Sequence, residues 1–188
     1  MENEASTRTA PLDVVIGLGA NVGDTALTLR RALAELAAVG EVIAVSALYR
    51  STPVGGPPQP DFLNAAARLK FSGTPDSLLA EALRIERLAG RVRRERWGPR
   101  SLDLDILWIA GLRVAHAGLH IPHARLRERA FALQPLLDVA PEARDPADGE
   151  AYRAVLDRLG TAGVERLGTD LAGAVAGHST RGMDRPRS

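Results

Sequence analysis

Two strand-forming runs are separated by a segment rich in proline and glycine: Val42-Ile-Ala-Val-Ser-Ala-Leu-Tyr-Arg50, then Ser51-Thr-Pro-Val-Gly-Gly-Pro-Pro-Gln-Pro60, then Phe62-Leu-Asn-Ala-Ala-Ala-Arg-Leu-Lys-Phe71. The first run is rich in β-branched residues and partly alternating, which favours a strand. The middle segment cannot be a helix or a central strand, because proline lacks the backbone donor that both require. We therefore expect two antiparallel strands joined by a turn.

On each side of this pair the chain predicts one helix and one strand. Upstream, residues 14–19 form a buried-strand run, and Asp24 precedes a helix whose apolar residues recur at helical spacing. Downstream, a helix begins at Pro75 and ends at Gly90, and residues 102–109 form a strand. The order β-α-β-β-α-β is that of the ferredoxin-like unit. We expect an α+β fold with one antiparallel sheet and helices mainly on one face.

Four shorter elements are expected in the rest of the chain. Residues 113–115 predict an edge strand, and residues 152–159 predict a short amphipathic helix. Residues 125–137 predict a short helix followed by another strand.

The composition indicates one globular domain. The chain has 188 residues, of which 45% are hydrophobic and 25% charged, and a formal net charge of +1. We expect a flexible leader at residues 1–11, a domain at residues 12–164 and a mobile C-terminal tail at residues 165–188. The absence of cysteine excludes disulfides and thiolate metal sites. Because no apolar run reaches membrane-spanning length and the N-terminus lacks an apolar signal core, we expect a cytoplasmic protein.

Arginine is concentrated in one part of the chain. Lys70 is the only lysine among 24 basic residues, and seven arginines lie between Arg84 and Arg100. Arginine presents a planar fork that suits bidentate phosphate contact. The loop between Gly90 and Leu102 is therefore interpreted as a polyphosphate-binding lid. Two alternatives remain open on charge alone: a solvated charged loop, and a nucleic-acid-binding loop.

An aspartate pair follows the arginine-rich loop. Strand alternation places Asp103 and Asp105 on one face, and it places Leu107 and Ile109 on that same face. Two neighbouring carboxylates beside apolar surface repel each other, and a divalent cation removes the conflict. Oxygen ligands favour Mg²⁺. The alternative is that both aspartates are simply solvated at the end of a strand.

Short motifs occur along the chain in a fixed order: Gly17-Leu-Gly-Ala-Asn21, Tyr49-Arg-Ser-Thr-Pro-Val-Gly55, Pro60-Asp-Phe-Leu-Asn64, Gly90-Arg-Val-Arg93, Arg96-Trp-Gly-Pro-Arg-Ser-Leu-Asp-Leu-Asp-Ile106, Ile121-Pro-His123 and Arg129-Ala-Phe131. With these motifs the chain resembles the 6-hydroxymethyl-7,8-dihydropterin pyrophosphokinase family from about residue 14 to about residue 159. The resemblance implies an enzyme of folate biosynthesis that transfers pyrophosphate from ATP to the pterin hydroxymethyl group and releases AMP.

The resemblance also implies roles for individual residues. Asp103 and Asp105 would hold two Mg²⁺ ions that bridge the ATP phosphates, and Arg91 and Arg100 would act with them in catalysis. The implied ATP-binding residues are Glu86, Arg91, Arg93, Arg100, Ile106, His123 and Arg129. The implied pterin-binding residues are Asn21, Thr52, Pro53, Val54, Phe62, Asn64, Trp97 and Phe131. Of these, Phe62 and Phe131 suit a stacking sandwich, and Asn64 offers a donor and an acceptor to the ring edge.

We expect ATP and a reduced pterin as substrates, no nucleic-acid or membrane partner, and a monomer. One rival interpretation is another two-metal enzyme, such as a nucleotidyltransferase, which would release pyrophosphate instead of AMP. The other is an RNA-binding module, because RNA-recognition domains share the ferredoxin-like fold. An aromatic content of 4% and the lack of the RNA-recognition strand motif disfavour that second rival.

Overall fold

A computed structural model describes residues 10–53, 55–90 and 99–171 of the chain. Their elements follow in the order β1 (Leu12–Ala20), α1 (Thr25–Val39), β2 (Glu41–Val45), β3 (Ala47–Ser51), β4 (Phe62–Phe71), α2 (Pro75–Leu88), β5 (Asp103–Ile109), β6 (Val114–His116), β7 (Leu119–Ile121), α3 (Ala130–Val139), α4 (Tyr152–Leu159) and β8 (Val164–Asp170). The predicted bounds of β4 and α4 are confirmed. No helix within the described ranges has the length and apolarity needed to cross a membrane.

β1 and β4 form the centre of an antiparallel sheet. The strand order is β5-β1-β4-β3-β8, and β2 also pairs with β4. β4 pairs with β1 along the whole of β1, from Leu12 opposite Phe71 to Ala20 opposite Leu63. β3 and β4 pair antiparallel on either side of the proline-rich turn, as predicted. The order of helices and strands confirms the ferredoxin-like arrangement.

The strand predicted at residues 42–50 is divided in two at Ser46. This side chain is 3% exposed. Its hydroxyl donates to the Ala47 carbonyl (2.7 Å) and accepts from the backbone N–H of Ala66 (2.8 Å). Because the hydroxyl competes for backbone partners, β2 and β3 reach β4 as two segments instead of one continuous strand.

Helices cover the sheet on both faces. The long helices α1 and α2 pack on one face, where Leu33 and Ile85 are fully buried. α3 and α4 cover the other face, where Leu133 and Tyr152 are fully buried. The second helical layer was not expected, because the strand predicted within residues 125–137 is instead helix α3. A short apolar run fits either structure until tertiary packing decides.

β8 corrects the predicted start of the C-terminal tail. Residues 165–170 belong to this strand, which pairs with β3 and places Leu167 opposite Leu48. Leu167 packs on the core, and Leu171 is 1% exposed within it. These two leucines anchor a segment whose otherwise polar composition concealed a strand. The rest of the predicted tail, and most of the predicted leader, lie outside the described residues.

The predicted edge strand near residues 113–115 is part of a small hairpin. β6 pairs antiparallel with β7 in a two-stranded sheet that is separate from the main one. The hairpin turns at Gly118, which has a φ of 97°. Glycine adopts this conformation without steric cost, so the tight turn between two three-residue strands is possible here.

Candidate active site

A β-bulge decides which side chains of β5 share a face. β5 carries one extra residue, Leu107, where it pairs with β1. Before the bulge, Asp103 and Asp105 point to the same side as Leu107, which confirms the predicted alternation. After it, the alternation is shifted: Trp108 packs with α3 and α4, whereas Ile109 packs on the opposite face. The prediction that Ile109 shares the aspartate face is therefore wrong.

Two glycines of β1 lie beside the aspartates, and the Leu107 side chain covers Gly17. Gly17 lies opposite Asp105, and Gly19 lies opposite Asp103. On its other side, Gly19 lies opposite Asn64 of β4, and a Cβ at Gly19 would be 3.5 Å from Asn64 Oδ1. The floor at Gly19, between Asp103 and this amide, is therefore bare backbone. Glycine inside a strand often marks such a place, where a ligand approaches the chain closely.

A cavity of about 300 Å³ opens above this glycine floor. It is bounded by the sheet, by the N-terminal end of α3 and by the connection between α4 and β8. Its lining includes four of the charged residues singled out in the sequence, namely Arg100, Asp103, Asp105 and Arg129. It also includes five residues predicted to surround a flat ring: Thr52, Pro53, Phe62, Asn64 and Phe131.

Basic side chains surround the aspartate pair. Arg100 forms an ion pair with Asp103. His123 Nε2 and Arg129 Nη1 lie 3.9 Å and 4.0 Å from Asp105 Oδ2. Burial raises the pKa of Asp105, and the neighbouring carboxylate of Asp103 raises it further, against the opposing effect of the three basic groups. The pair therefore carries the electrostatic conflict that a cation relieves.

The ring-binding candidates are also held in place by neighbours. Asn64 is 6% exposed, and its Nδ2 donates to Ser51 Oγ at 2.9 Å. Its Oδ1 therefore remains directed towards the glycine floor as an acceptor. The guanidinium carbon of Arg129 lies 5.6 Å from the ring centroid of Phe131, within cation–π range. An aromatic ring, an oriented amide and a cation thus meet in one cavity.

Comparison with known proteins agrees with the motifs. Residues 15–141 match the family described as 7,8-dihydro-6-hydroxymethylpterin-pyrophosphokinase. The chain belongs to this family. The 2-amino-4-hydroxy-6-hydroxymethyldihydropteridine pyrophosphokinase of Methylorubrum extorquens is 44% identical over 154 residues, which cover 81% of this chain and 96% of that protein. A protein of the same name from Synechocystis is 39% identical over 165 residues, covering 86% and 84%.

Solved structures show the same fold. A crystal structure of an HPPK-DHPS protein in complex with substrates has a TM-score of 0.68 to this chain at 14% identity, and the match covers 84% of this chain and 47% of that one. The Plasmodium falciparum HPPK-DHPS has a TM-score of 0.65 at 15% identity, with 82% and 46% covered. At these identities the likeness supports the pyrophosphokinase fold and nothing finer.

Asn21, one of the residues that the pyrophosphokinase resemblance implies for pterin binding, does not line the cavity. It is 3% exposed and links the two sides of the site. Its Nδ2 donates to Gln59 Oε1 (2.9 Å) and to the Pro60 carbonyl (3.1 Å), and its Oδ1 accepts from the backbone N–H of Arg100 (2.8 Å). We therefore regard Asn21 as a clamp that positions Arg100 against the proline-rich turn.

Three residues implied for ATP binding also lie outside the cavity lining. Glu86 is on α2, where its Oε1 accepts from the backbone N–H of Leu104 at 2.8 Å. The side chain of Ile106 is in the core beneath α1 and α2. His123 is closer to the cavity, since its backbone N–H donates to the Leu107 carbonyl beside the aspartates. Burial lowers the pKa of His123. The predicted contacts of these three residues with ATP stay predictions.

Four implied residues fall on parts of the chain that the structure does not describe. They are Val54, Arg91, Arg93 and Trp97. Their predicted roles, and the predicted lid, stay predictions.

The cavity also contains residues that sequence reasoning missed. Arg125 and Gln59 line it, and so do several residues of the connection between α4 and β8. Gly17 and Gly19 could have been found from their spacing, because two glycines at alternate positions of a strand contribute no side chains to the face that they share. No comparable signal marked the α4–β8 connection, because its place in the cavity depends on the pairing of β8.

Proposed function

We propose that this chain transfers the pyrophosphoryl group of ATP to 6-hydroxymethyl-7,8-dihydropterin, which yields AMP and the pterin diphosphate in folate biosynthesis. The observation that carries this proposal is the juxtaposition, in a member of the pyrophosphokinase family, of a carboxylate pair with a ring-sized pocket. In the reaction, the pterin hydroxyl oxygen bonds to the β-phosphorus and loses its proton. The bond between the β-phosphorus and the oxygen that bridges it to the α-phosphorus breaks, and AMP leaves with that oxygen.

We propose that Asp103 and Asp105 hold Mg²⁺, with two ions per site. Within the described ranges no three His, Asp or Glu side chains converge at metal-binding spacing, so this proposal rests on the carboxylate pair. The pair suits Mg²⁺, which usually binds proteins through one or two carboxylates and takes its other ligands from water and substrate phosphates. When bound there, Mg²⁺ would supply neutralisation of the phosphate charge that builds up during transfer.

Arg100 and Arg129 would bind the phosphate chain. Both guanidinium groups line the cavity beside the aspartates, and arginine can donate two parallel hydrogen bonds to a phosphate group. In the structure they balance the charge of Asp103 and Asp105. Positioning and charge stabilisation are the main contributions that a protein makes to phosphoryl-type transfer. Two fixed cations next to two carboxylates provide both.

The ring of the pterin would lie against Phe62 and Phe131, with its polar edge towards Asn64. Because Asn64 Nδ2 is engaged by Ser51, its Oδ1 is the group that meets the ring, as an acceptor for N–H groups of the pterin edge. Flat aromatic rings bind well between aromatic side chains, which contribute area and offset stacking. The glycine floor leaves room for the hydroxymethyl arm to reach the aspartates.

The test uses purified chain, Mg·ATP and the pterin, with nucleotide and pterin products separated by chromatography. We expect AMP and pterin diphosphate from the wild type. For Asp103→Asn and for Asp105→Asn we expect the rate to fall by a factor of about 10³ or more. Asp157→Asn, which changes an exposed aspartate of α4, should retain the wild-type rate. Pyrophosphate in place of AMP would refute the proposal in favour of nucleotidyl transfer.

A binding measurement separates the metal from the chemistry. The α,β-methylene analogue of ATP cannot release AMP, so its affinity can be measured by calorimetry with and without Mg²⁺. We expect Mg²⁺ to strengthen binding to the wild type and to have little effect on Asp105→Asn. An equal effect of Mg²⁺ on both proteins would refute the assignment of the carboxylate pair.

A further inference from the structure

The connection between α4 and β8 forms one wall of the cavity. Leu159, Gly160, Ala162, Gly163 and Val164 all line it. The match to the pyrophosphokinase family ends at residue 141, so this wall lies beyond the matched region. Of the five lining residues, three are glycine or alanine, so few side-chain atoms project from this wall into the cavity.

The wall is fastened to the proline-rich turn. The backbone N–H of Thr52 donates to the Gly163 carbonyl at 3.3 Å. A Cβ at Gly163 would be 3.1 Å from Thr52 Oγ1, which is closer than ordinary van der Waals contact. Val164 pairs with Ser51, the residue that orients Asn64. A displacement of the wall would therefore be transmitted to the ring-binding side of the cavity.

The sheet order places this wall at the end of the cavity remote from the aspartates. β5 and β8 are separated by four strand spacings, or about 19 Å at about 4.8 Å per spacing. Asp103 and Asp105 lie on β5, whereas Gly163 and Val164 lie at the start of β8. A flat substrate whose reactive arm points to the aspartates therefore has its opposite edge towards β8.

We propose that the α4–β8 connection is a specificity-determining wall for the pterin. Its small residues set the space available to the ring edge opposite the hydroxymethyl group, and its contact with Thr52 keeps that space constant. The inference rests on the proposed function and deepens it, because it assigns part of pterin recognition to a segment beyond the matched family region. The wall acts on the position of the ring and takes no part in the transfer itself.

The first test adds bulk to the wall. Ala162→Trp places a large side chain at the cavity, and we expect the KM for the pterin to rise about tenfold or more, with the KM for ATP and kcat within about twofold of the wild type. The matched control is Thr161→Trp, because Thr161 is the neighbouring residue that does not line the cavity. This control should keep the wild-type KM for the pterin.

The second test moves the wall without filling the cavity. Gly163 and Gly149 both have a φ of 75°, so alanine has to adopt the same unfavourable left-handed φ at either position. A Cβ at Gly149 meets no atom within 4 Å, whereas one at Gly163 meets Thr52. We expect Gly163→Ala to raise the KM for the pterin several-fold and Gly149→Ala to leave it unchanged.

The outcomes separate this inference from the proposed function. If the wild type forms no AMP and no pterin diphosphate, the proposed function fails. If the wild type is active and both Ala162→Trp and Gly163→Ala keep its KM for the pterin, only the wall is refuted. Equal losses in Ala162→Trp and Thr161→Trp, or in the two alanine variants, would likewise refute it, because the effect would then be a general one on folding. Thermal unfolding of each variant verifies that the protein compared is folded.

Discussion

Replacement of Asn21 should weaken both the fold and the transfer, because one buried amide joins the two sides of the site. Its three hydrogen bonds, of 2.8, 2.9 and 3.1 Å, link Arg100 to Gln59 and Pro60. Each such bond contributes about 0.5–1.5 kcal/mol, and Asn21→Ala also leaves the Arg100 N–H and the Pro60 carbonyl without this partner. We expect a loss of about 2–4 kcal/mol in the free energy of unfolding.

The same change should lower the rate, because Arg100 lies beside Asp103. A displacement of about 1 Å near reacting groups costs about 10²-fold in rate, and we expect a fall of this order in kcat for Asn21→Ala. Asn21→Asp is the informative comparison, since a carboxylate still accepts from the Arg100 N–H but cannot donate to the Pro60 carbonyl. This variant should keep more of kcat and show a higher KM for the pterin.

The assay combines urea unfolding with steady-state kinetics on the same protein samples. A loss of stability below about 0.5 kcal/mol in Asn21→Ala would show that the buried amide is not a clamp. A normal stability with a raised KM for the pterin alone would instead show that Asn21 contacts the substrate directly. Either result would refute the positioning role derived from its burial and its three partners.

Three further outcomes are expected. Hydrogen bonds from Arg68, at 2.8 and 2.9 Å, lower the pKa of Asp13 from 3.8 to about 2. The ion pair therefore stabilises the fold fully at pH values above the ordinary aspartate pKa, and this stabilisation is lost as the pH falls towards 2. Asp13→Asn should cost about 1–2 kcal/mol at pH 6 in urea unfolding, and this difference should shrink between pH 5 and 2, whereas a constant difference would contradict the linkage. Glu86→Ala should destabilise the protein by about 1–3 kcal/mol and Glu86→Gln by less, because glutamine can still accept from the Leu104 N–H; equal unfolding midpoints for the two would argue against this bond. Gly19→Val should raise the KM of the substrates about tenfold by filling the floor between Asp103 and Asn64, and unchanged kinetics would show that the floor is not used.

Much of the fold could be predicted from local patterns. The residue pattern of Phe62–Phe71 predicted a strand whose bounds agree with the structure. The prolines before it correctly predicted a turn between this strand and β3. The departures have physical causes that a local pattern does not contain. Ser46 divides a strand through its hydroxyl, and Leu107 shifts the alternation of β5 by one residue. β8 depends on pairing with a strand more than a hundred residues earlier in the chain.

The site was predictable where chemistry and spacing coincide. Asp103 and Asp105 share a face because alternation holds up to the bulge, and the structure places Phe62 and Asn64 in the same cavity. Sequence reasoning could not distinguish a residue that lines the cavity from one that holds the lining in place, and Asn21 is the clearest case. That distinction depends on which backbone groups a side chain meets, and those groups come from distant parts of the chain.

The most direct test of pyrophosphoryl transfer follows each phosphorus of ATP separately. ATP labelled at the α, β or γ position is incubated with Mg²⁺, the pterin and the wild-type chain, and the label is located in the separated products. We expect the β and γ labels in the pterin product and the α label in AMP. Transfer of the γ label alone, or arrival of the α label on the pterin, would contradict attack at the β-phosphorus and with it the function proposed for this site.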